Sequence, residues 1–214
     1  MSAAVAEAFR HMVGPKNHMR ADPIAFLDVG STKVCCYVAR RRGVRGFTLL
    51  GRGYQQSEGI ERGAVSDPDA IEDAIQAAVS EAETQAGITI REIAVALSGC
   101  DPRTRLVQQS LKLSGRSVTE DDLHTLLVQA SHNAREQGRQ SLHIMPLVLQ
   151  IDDGRPLKDP CGLSGEVLQM TASVISVSDR LLEEVLGCVR RSHLEIDEVI
   201  ISSFAAGKAC LAPE

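Results

Sequence analysis

From residue 23 onward the chain alternates between short apolar runs and turn-forming residues, and the spacing of its apolar positions changes several times. Residues 24–27 and 34–38 are apolar, β-prone runs joined by Gly30, Ser31 and Thr32, which predicts a β-hairpin. Residues 40–46 read as the next turn and 47–51 as a third strand. The connections are too short for a crossover helix, so these strands are expected to pair antiparallel. A helix follows. Asp67 is its N-cap, Pro68 fits the first helical position, and Asp69, Glu72 and Asp73 complement the positive end of the dipole. Ile71, Ala74, Ile75, Ala78, Val79 and Ala82 form one apolar face, and Gly87 supplies the stop. Residues 93–97 read as a buried strand running into Ser98 and Gly99.

Residues 100–170 have a different texture. Residues 106–113 alternate weakly, as in a half-exposed strand, and Thr119 with Asp122 resembles a capping box. The helix it opens carries Leu123, Leu126, Leu127, Ala130 and Ala134. Residues 143–151 form a strand in which Pro146 points to an edge or a bulge. Turns at 152–156 and 159–165 precede a long strand at 167–177, so strand, helix, strand, strand make a unit of their own. The last part returns to αβ alternation. Ser178 caps a helix with Leu181, Leu182, Val185, Leu186 and Val189, residues 198–201 form a strand, and Ser202 or Ser203 opens an Ala-rich helix through Leu211.

Composition narrows the function classes. With no Trp, two Tyr and four Phe, the core has to be built from Val, Ile, Leu and Ala. A net charge of -5 gives no general attraction to phosphate backbones, which argues against nucleic-acid binding. Arg40, Arg41, Arg42 and Arg45 form the one dense basic run, beside Gly43 and Gly46, and read as a solvated hairpin tip. Cys35, Cys36, Cys100, Cys161, Cys188 and Cys210 form no C-x-x-C pair, which suits buried reduced thiols in a cytoplasmic protein. His124 and His132 share a predicted helix but stand too far apart to share a metal, and no metal site is expected. No segment approaches the ~18 apolar residues of a membrane span. Residues 1–22 lack a continuous apolar h-region and read as a disordered N-terminal extension, not a signal peptide, so no membrane anchor is expected in this chain.

One motif carries chemistry. Asp28-Val29-Gly30-Ser31-Thr32-Lys33 sits between two strands, which excludes a P-loop or dinucleotide fingerprint, since both place phosphate on a helix N-terminus. A tight hairpin can still hold phosphate. Gly30 lets the backbone approach, successive N–H groups form an anion nest, and Ser31 and Thr32 add hydroxyl donors. Lys33 adds a point charge, and Asp28 can orient water on a Mg²⁺ ion. The same residues are also ordinary turn chemistry. No spacing of Ser, His and Asp suggests a nucleophile with its base, and the Ser98-Gly99 and Gly162-Leu163-Ser164-Gly165 segments read as structural loops.

Taken in order, the segments resemble the FtsA family of actin-like bacterial division proteins. Phe26-Leu27-Asp28-Val29-Gly30-Ser31-Thr32-Lys33-Val34 looks like the first phosphate loop of the actin/Hsp70/sugar-kinase superfamily. Ser57-Glu58-Gly59-Ile60-Glu61-Arg62-Gly63-Ala64-Val65-Ser66-Asp67 is similar to the glycine-marked segment before the family's first helix, with Ala64 in place of a second glycine. Ala96-Leu97-Ser98-Gly99, then His143-Ile144-Met145-Pro146, Ile151-Asp152 and Pro160-Cys161-Gly162-Leu163-Ser164-Gly165, are similar to markers at and within its inserted subdomain.

The resemblance implies an α/β fold: the N-terminal lobe of the actin/Hsp70-like (ribonuclease H-like) fold with an inserted strand-helix-strand-strand (SHS2) subdomain. It implies a first part of subdomain 1A at 23–98, the inserted subdomain 1C at 99–170 and a second part of 1A at 171–214. For function it implies a division scaffold that helps assemble the divisome and links the FtsZ ring to the membrane. Partners would be further FtsA copies and later division proteins, through 1C, and FtsZ, through a subdomain expected to be missing from this chain. The expected location is cytoplasmic, at the inner-membrane face of the division site. ATP with Mg²⁺ is the family's ligand. No second phosphate loop of the Asp-x-Gly-Gly-Gly-Thr kind follows Leu211 here, so the second lobe is expected to be absent, with half a nucleotide site, weak binding and no enzyme activity from this chain. Two other readings share the architecture: a PilM-like pilus assembly scaffold, and the N-terminal lobe of an ATPase or sugar kinase.

Overall fold

A computed structural model describes residues 23–42 and 46–211. The expected extension at 1–22, Arg45 of the basic run and residues 212–214 lie outside the described residues. In chain order the elements are β1 (Ile24–Val29), β2 (Lys33–Arg42), β3 (Gly46–Gln56), β4 (Ile60–Glu61), β5 (Ala64–Val65), α1 (Pro68–Ala86) and β6 (Glu92–Leu97). Next come β7 (Arg103–Lys112), α2 (Glu120–Asn133), β8 (Arg139–Ile151), β9 (Val167–Ser178), α3 (Asp179–Arg191), β10 (Glu195–Ile201) and α4 (Ser202–Cys210). They divide into two compact units, Arg103–Val177 and the described residues on either side of it. Residue 170 falls inside β9, which continues to Ser178.

The flanking unit is built on a five-stranded sheet of order β10-β6-β1-β2-β3. β1, β2 and β3 pair antiparallel, as the short connections require. β6 and β10 run parallel to β1, β6 being reached through α1 and β10 through α3. The α1 signals act as read: the Asp67 carboxylate accepts from the N–H groups of Asp69 and Ala70, Gly87 takes φ 66°, and all six apolar positions of the expected face are buried.

One expected turn and one expected strand boundary differ in the structure. Arg40, Arg41 and Arg42 lie in β2, paired with Thr48, Phe47 and Gly46, and not in a turn. They are exposed, because charge keeps a side chain out of the core without preventing the backbone from extending the ladder. β3 likewise runs past Gly51 to Gln56. Its glycines mark the approach of α1: a Cβ on Gly51 would stand 2.2 Å from the Ala82 carbonyl oxygen, and one on Gly53 would stand 1.8 Å from that of Ala78. Along the same strand the N–H groups of Arg52 and Tyr54 donate to Gln85 Oε1 (3.2 Å) and Glu81 Oε2 (3.1 Å) on α1. The helix thereby covers a sheet edge that would otherwise offer itself to another strand.

In the unit Arg103–Val177, β7, β9 and β8 form a three-stranded sheet in that order. Pro146 lies in β8, an edge strand, where a missing N–H is tolerated. Leu123, Leu126, Leu127 and Ala130 of α2 pack on Leu168, Met170, Ala172 and Val174 of β9 in the core of this unit. The capping box is present in full: Thr119 Oγ1 accepts from the Asp122 N–H and Asp122 accepts from the Thr119 N–H. Arg116 adds a two-pronged pair to the Asp122 carboxylate, 2.6 Å on each prong. The second loop is stitched to the segment before α2, with the N–H of Val118 donating to the Leu163 carbonyl and that of Gly162 to the Val118 carbonyl. Gly165 leaves no room for a side chain, since a Cβ there would lie 2.2 Å from Ile151 Cγ2.

All six cysteines are free thiols. Cys35, Cys36, Cys100 and Cys188 are buried, Cys161 is half-buried, and Cys210, against expectation, is exposed at the end of α4. Burial pushes the Cys36 thiol up to about 12 and Cys100 up to about 11.

Candidate phosphate site

The three parallel strands of the five-stranded sheet end level, with Val29 beside Leu97 and Leu97 beside Ile201. Ligands of open α/β sheets lie outside such C-terminal strand ends. Three segments meet there: the turn at 30–33, Ser98 with Gly99, and the first residue of α4.

The turn is closed by the Gly30 N–H donating to the Lys33 carbonyl at 3.0 Å, and the Ser57 N–H ties it to the end of β3 through the Thr32 carbonyl at 3.1 Å. Ser31, Thr32 and Lys33 are exposed, while Asp28 and Gly30 are half-buried. The turn therefore leaves two hydroxyls and an ammonium exposed at the sheet edge. Of the five residues singled out from the sequence, Asp28 stands apart from the other four: it lies within β1, its carboxylate engaged by the Ser202 hydroxyl, which donates to Oδ1 at 2.8 Å. Ser202 opens α4, so a carboxylate, a hydroxyl and a helix N-terminus come together across 174 positions of sequence. From the sequence, Ser202 is expected only as one of two residues that can open the helix, the other being Ser203. The signal available was its place directly after a strand that runs parallel to β1.

A second joint braces the same edge. Gly63 and Gly99 touch backbone to backbone: a Cβ added to Gly99 would lie 2.7 Å from Gly63 Cα. The Cys100 N–H donates to the Gly63 carbonyl at 3.2 Å. Both glycines, with Gly30 and Ser31, line one cavity of about 10 Å³. That is room for roughly one water, so a phosphate would rest on the outside of the turn and not within it. The exposed hydroxyls and Lys33 suit phosphate oxygens, and Asp28 suits a water of a phosphate-bound Mg²⁺, so these groups fit the ligand in part.

Among the described residues no group of three His, Cys, Asp or Glu side chains could hold a metal ion by itself, and no helix is long and apolar enough to cross a membrane. A groove of about 370 Å³ on the three-stranded sheet is lined by Gln108, Gln150, Gln169 and Thr171 among others. Gln150 and Gln169 donate their amides to the Gly154 carbonyl and the Asp153 carboxylate, as on an ordinary solvated sheet face.

Comparison with known proteins adds four findings. The profile of the SHS2 domain inserted in FtsA matches residues 99–176. The cell division protein FtsA of Agrobacterium fabrum is 31% identical over 210 residues, which is 94% of this chain and 47% of that protein. FtsA of Enterococcus faecalis is 30% identical over 188 residues, 86% of this chain and 42% of that protein. The chain thus spans about half the length of the curated relatives it matches. Among solved structures, a PilM-PilN type IV pilus biogenesis complex superposes with TM-score 0.57 at 15% identity, covering 88% of this chain and 50% of that one. The likeness is one of fold: mixed α/β, actin-like, with an SHS2 domain inserted.

Proposed function

The chain belongs to the FtsA family of cell division proteins, and from that premise we propose that it serves as a division scaffold. In this reading it helps assemble the divisome and takes part in linking the FtsZ ring to the membrane, at the cytoplasmic face of the inner membrane. The proposed partners are further FtsA copies, later division proteins and FtsZ, the first two engaging Arg103–Val177. The observation that carries the reading is the SHS2 match at 99–176 falling on a unit that has its own core and exposes Leu106, Leu147 and Leu163 (68%, 55% and 46%). Exposed leucines on a folded unit suit protein contact better than catalysis.

The nucleotide role is secondary in this proposal. The turn at 30–33 with Asp28 binds the phosphates of Mg-ATP weakly, and the chain does not turn ATP over. A fold-level likeness to a pilus complex leaves the PilM-like scaffold as the second reading; it carries no sequence relation of comparable strength. A fluorescent fusion of the chain, expressed in a bacterium that divides with FtsZ, should collect at the division site, and replacing Leu106 and Leu163 with Ser should disperse it. Diffuse fluorescence of the unaltered fusion, together with no binding to a full-length FtsA in sedimentation, would sink the scaffold reading.

A further inference from the structure

The β4–β5 hairpin, held to the end of β6 through Gly63, carries one more cation, Arg62. β4 and β5 pair through Ile60 with Val65 and Glu61 with Ala64, which leaves Arg62 and Gly63 as a two-residue turn. Both have left-handed backbones, φ 51° for Arg62 and 81° for Gly63. Such a turn favours Asn-Gly, and an arginine at its first position works against the backbone preference. Gly63 has a local reason to be glycine beyond its own φ, the backbone contact with Gly99. Arg62 has no local reason: it is exposed, and among the described residues its guanidinium makes no ion pair or hydrogen bond.

Its position supplies the reason. The contact of Gly63 with Gly99 and the bond from the Cys100 N–H to the Gly63 carbonyl fix the hairpin to the end of β6. β6 ends level with β1, and Gly63 lines the same cavity as Gly30 and Ser31. Arg62 is therefore one residue from the wall that backs the phosphate turn, with Lys33 within the turn itself. A guanidinium offers a planar fork that matches phosphate oxygens, which a lysine does as a point charge only.

We propose that Arg62 is a phosphate-clamping residue. It reaches from the β4–β5 turn to the outer phosphates of a polyphosphate whose first phosphate rests on residues 30–33. The inference rests on the turn being a phosphate site, and the experiment separates the two. Tripolyphosphate, Mg-ATP and methyl phosphate are titrated to millimolar levels at constant ionic strength into the chain and its R62N variant. Binding is followed through the amide resonances of residues 30–33, and thermal melting is recorded in parallel. Because Asn suits the turn, R62N should melt no lower than the parent, bind tripolyphosphate and Mg-ATP about tenfold more weakly, and bind methyl phosphate equally well. Equal affinity of parent and R62N for tripolyphosphate overturns the clamp while leaving the turn as the site. A uniform loss for all three ligands, or a lower melting point, also overturns it, since either points to general charge or to folding. If the parent binds none of them, the phosphate site itself fails and the clamp with it.

Discussion

Asp122 and His143 sit in the same unit, and both titrate below their ordinary values, so each costs stability as the pH falls, in a window of its own. His143 is buried, and burial alone lowers its imidazole to about 4 from the ordinary 6.5. In the unfolded chain the ring takes up a proton below about 6.5, while in the folded unit it stays neutral until about 4. Its contribution is thus fully present above pH 6.5 and declines as the pH falls towards 4, by about 3 kcal/mol in all. The Asp122 carboxyl is held well below the usual carboxylate range by the Arg116 guanidinium, and further by the Thr119 N–H and hydroxyl. Its contribution is present above the usual carboxylate range and is lost only as the pH falls below about 4. Urea unfolding of this unit should therefore weaken in two separate windows. H143Q should flatten the upper one and leave the lower, whereas D122N should remove the lower. A parent protein whose stability is flat between pH 6.5 and 4 contradicts a neutral buried His143.

Between α1 and β3 the sequence signals were uneven in a way that physics explains. The helix was fully legible, because its cap, its stop and its apolar face are all local, and every one of those residues does what its type predicts. The strand was not, because Gly51 and Gly53 look like terminators when read along the chain. Their actual role depends on Ala78 and Ala82, more than twenty positions away. The arginines of β2 misled for a related reason: charge reports exposure, and an exposed residue can sit in a strand as easily as in a turn. The candidate site divides the same way. Asp28, Gly30, Ser31, Thr32 and Lys33 fall within six consecutive positions and can be singled out as candidates from the sequence, whereas Ser202 and the Gly63–Gly99 joint exist only once the strand ends are level. A consequence follows for the α1–β3 pair. Gly53→Ala should destabilise the chain by about 3 kcal/mol, since the new Cβ would press on the Ala78 backbone and not on a movable side chain. The substitution of an exposed neighbour such as Arg52→Ala should cost less than 1 kcal/mol. Chemical denaturation of the two variants checks this, and equal effects would mean that α1 does not approach β3 so closely.

At the scale of the whole molecule, the chain leaves one unit at Pro102 and returns to it at Ser178. The two crossings are close: the Ser178 N–H donates to the Cys100 carbonyl at 2.9 Å, although Ser178, at the N-cap position of α3, makes no side-chain cap bond. An insertion whose ends meet in space asks little of its host, since the closure of the host chain is already provided for. Each unit also has the means to stand alone. The inserted unit has its own apolar core around α2 and β9, and the host keeps a sheet with α1 and α3 without any strand from the insertion. Two cut proteins follow from this. Replacing residues 103–177 with a short Gly-Ser linker should leave a host that unfolds cooperatively and still protects the thiols of Cys35, Cys36 and Cys188 from a maleimide, with Cys210 reacting first because it alone is exposed. Residues 103–178 expressed by themselves should fold and retain both pH windows, since His143, Asp122, Arg116 and Thr119 all lie within them. Ending that fragment at 170 should abolish folding, because the cut removes Ala172 and Val174 from the middle of the core. A host that reacts with maleimide at every cysteine, or a 103–178 fragment without a cooperative transition, would mean that the units depend on each other for their folds and that the insertion is a part of the host, not a module set into it.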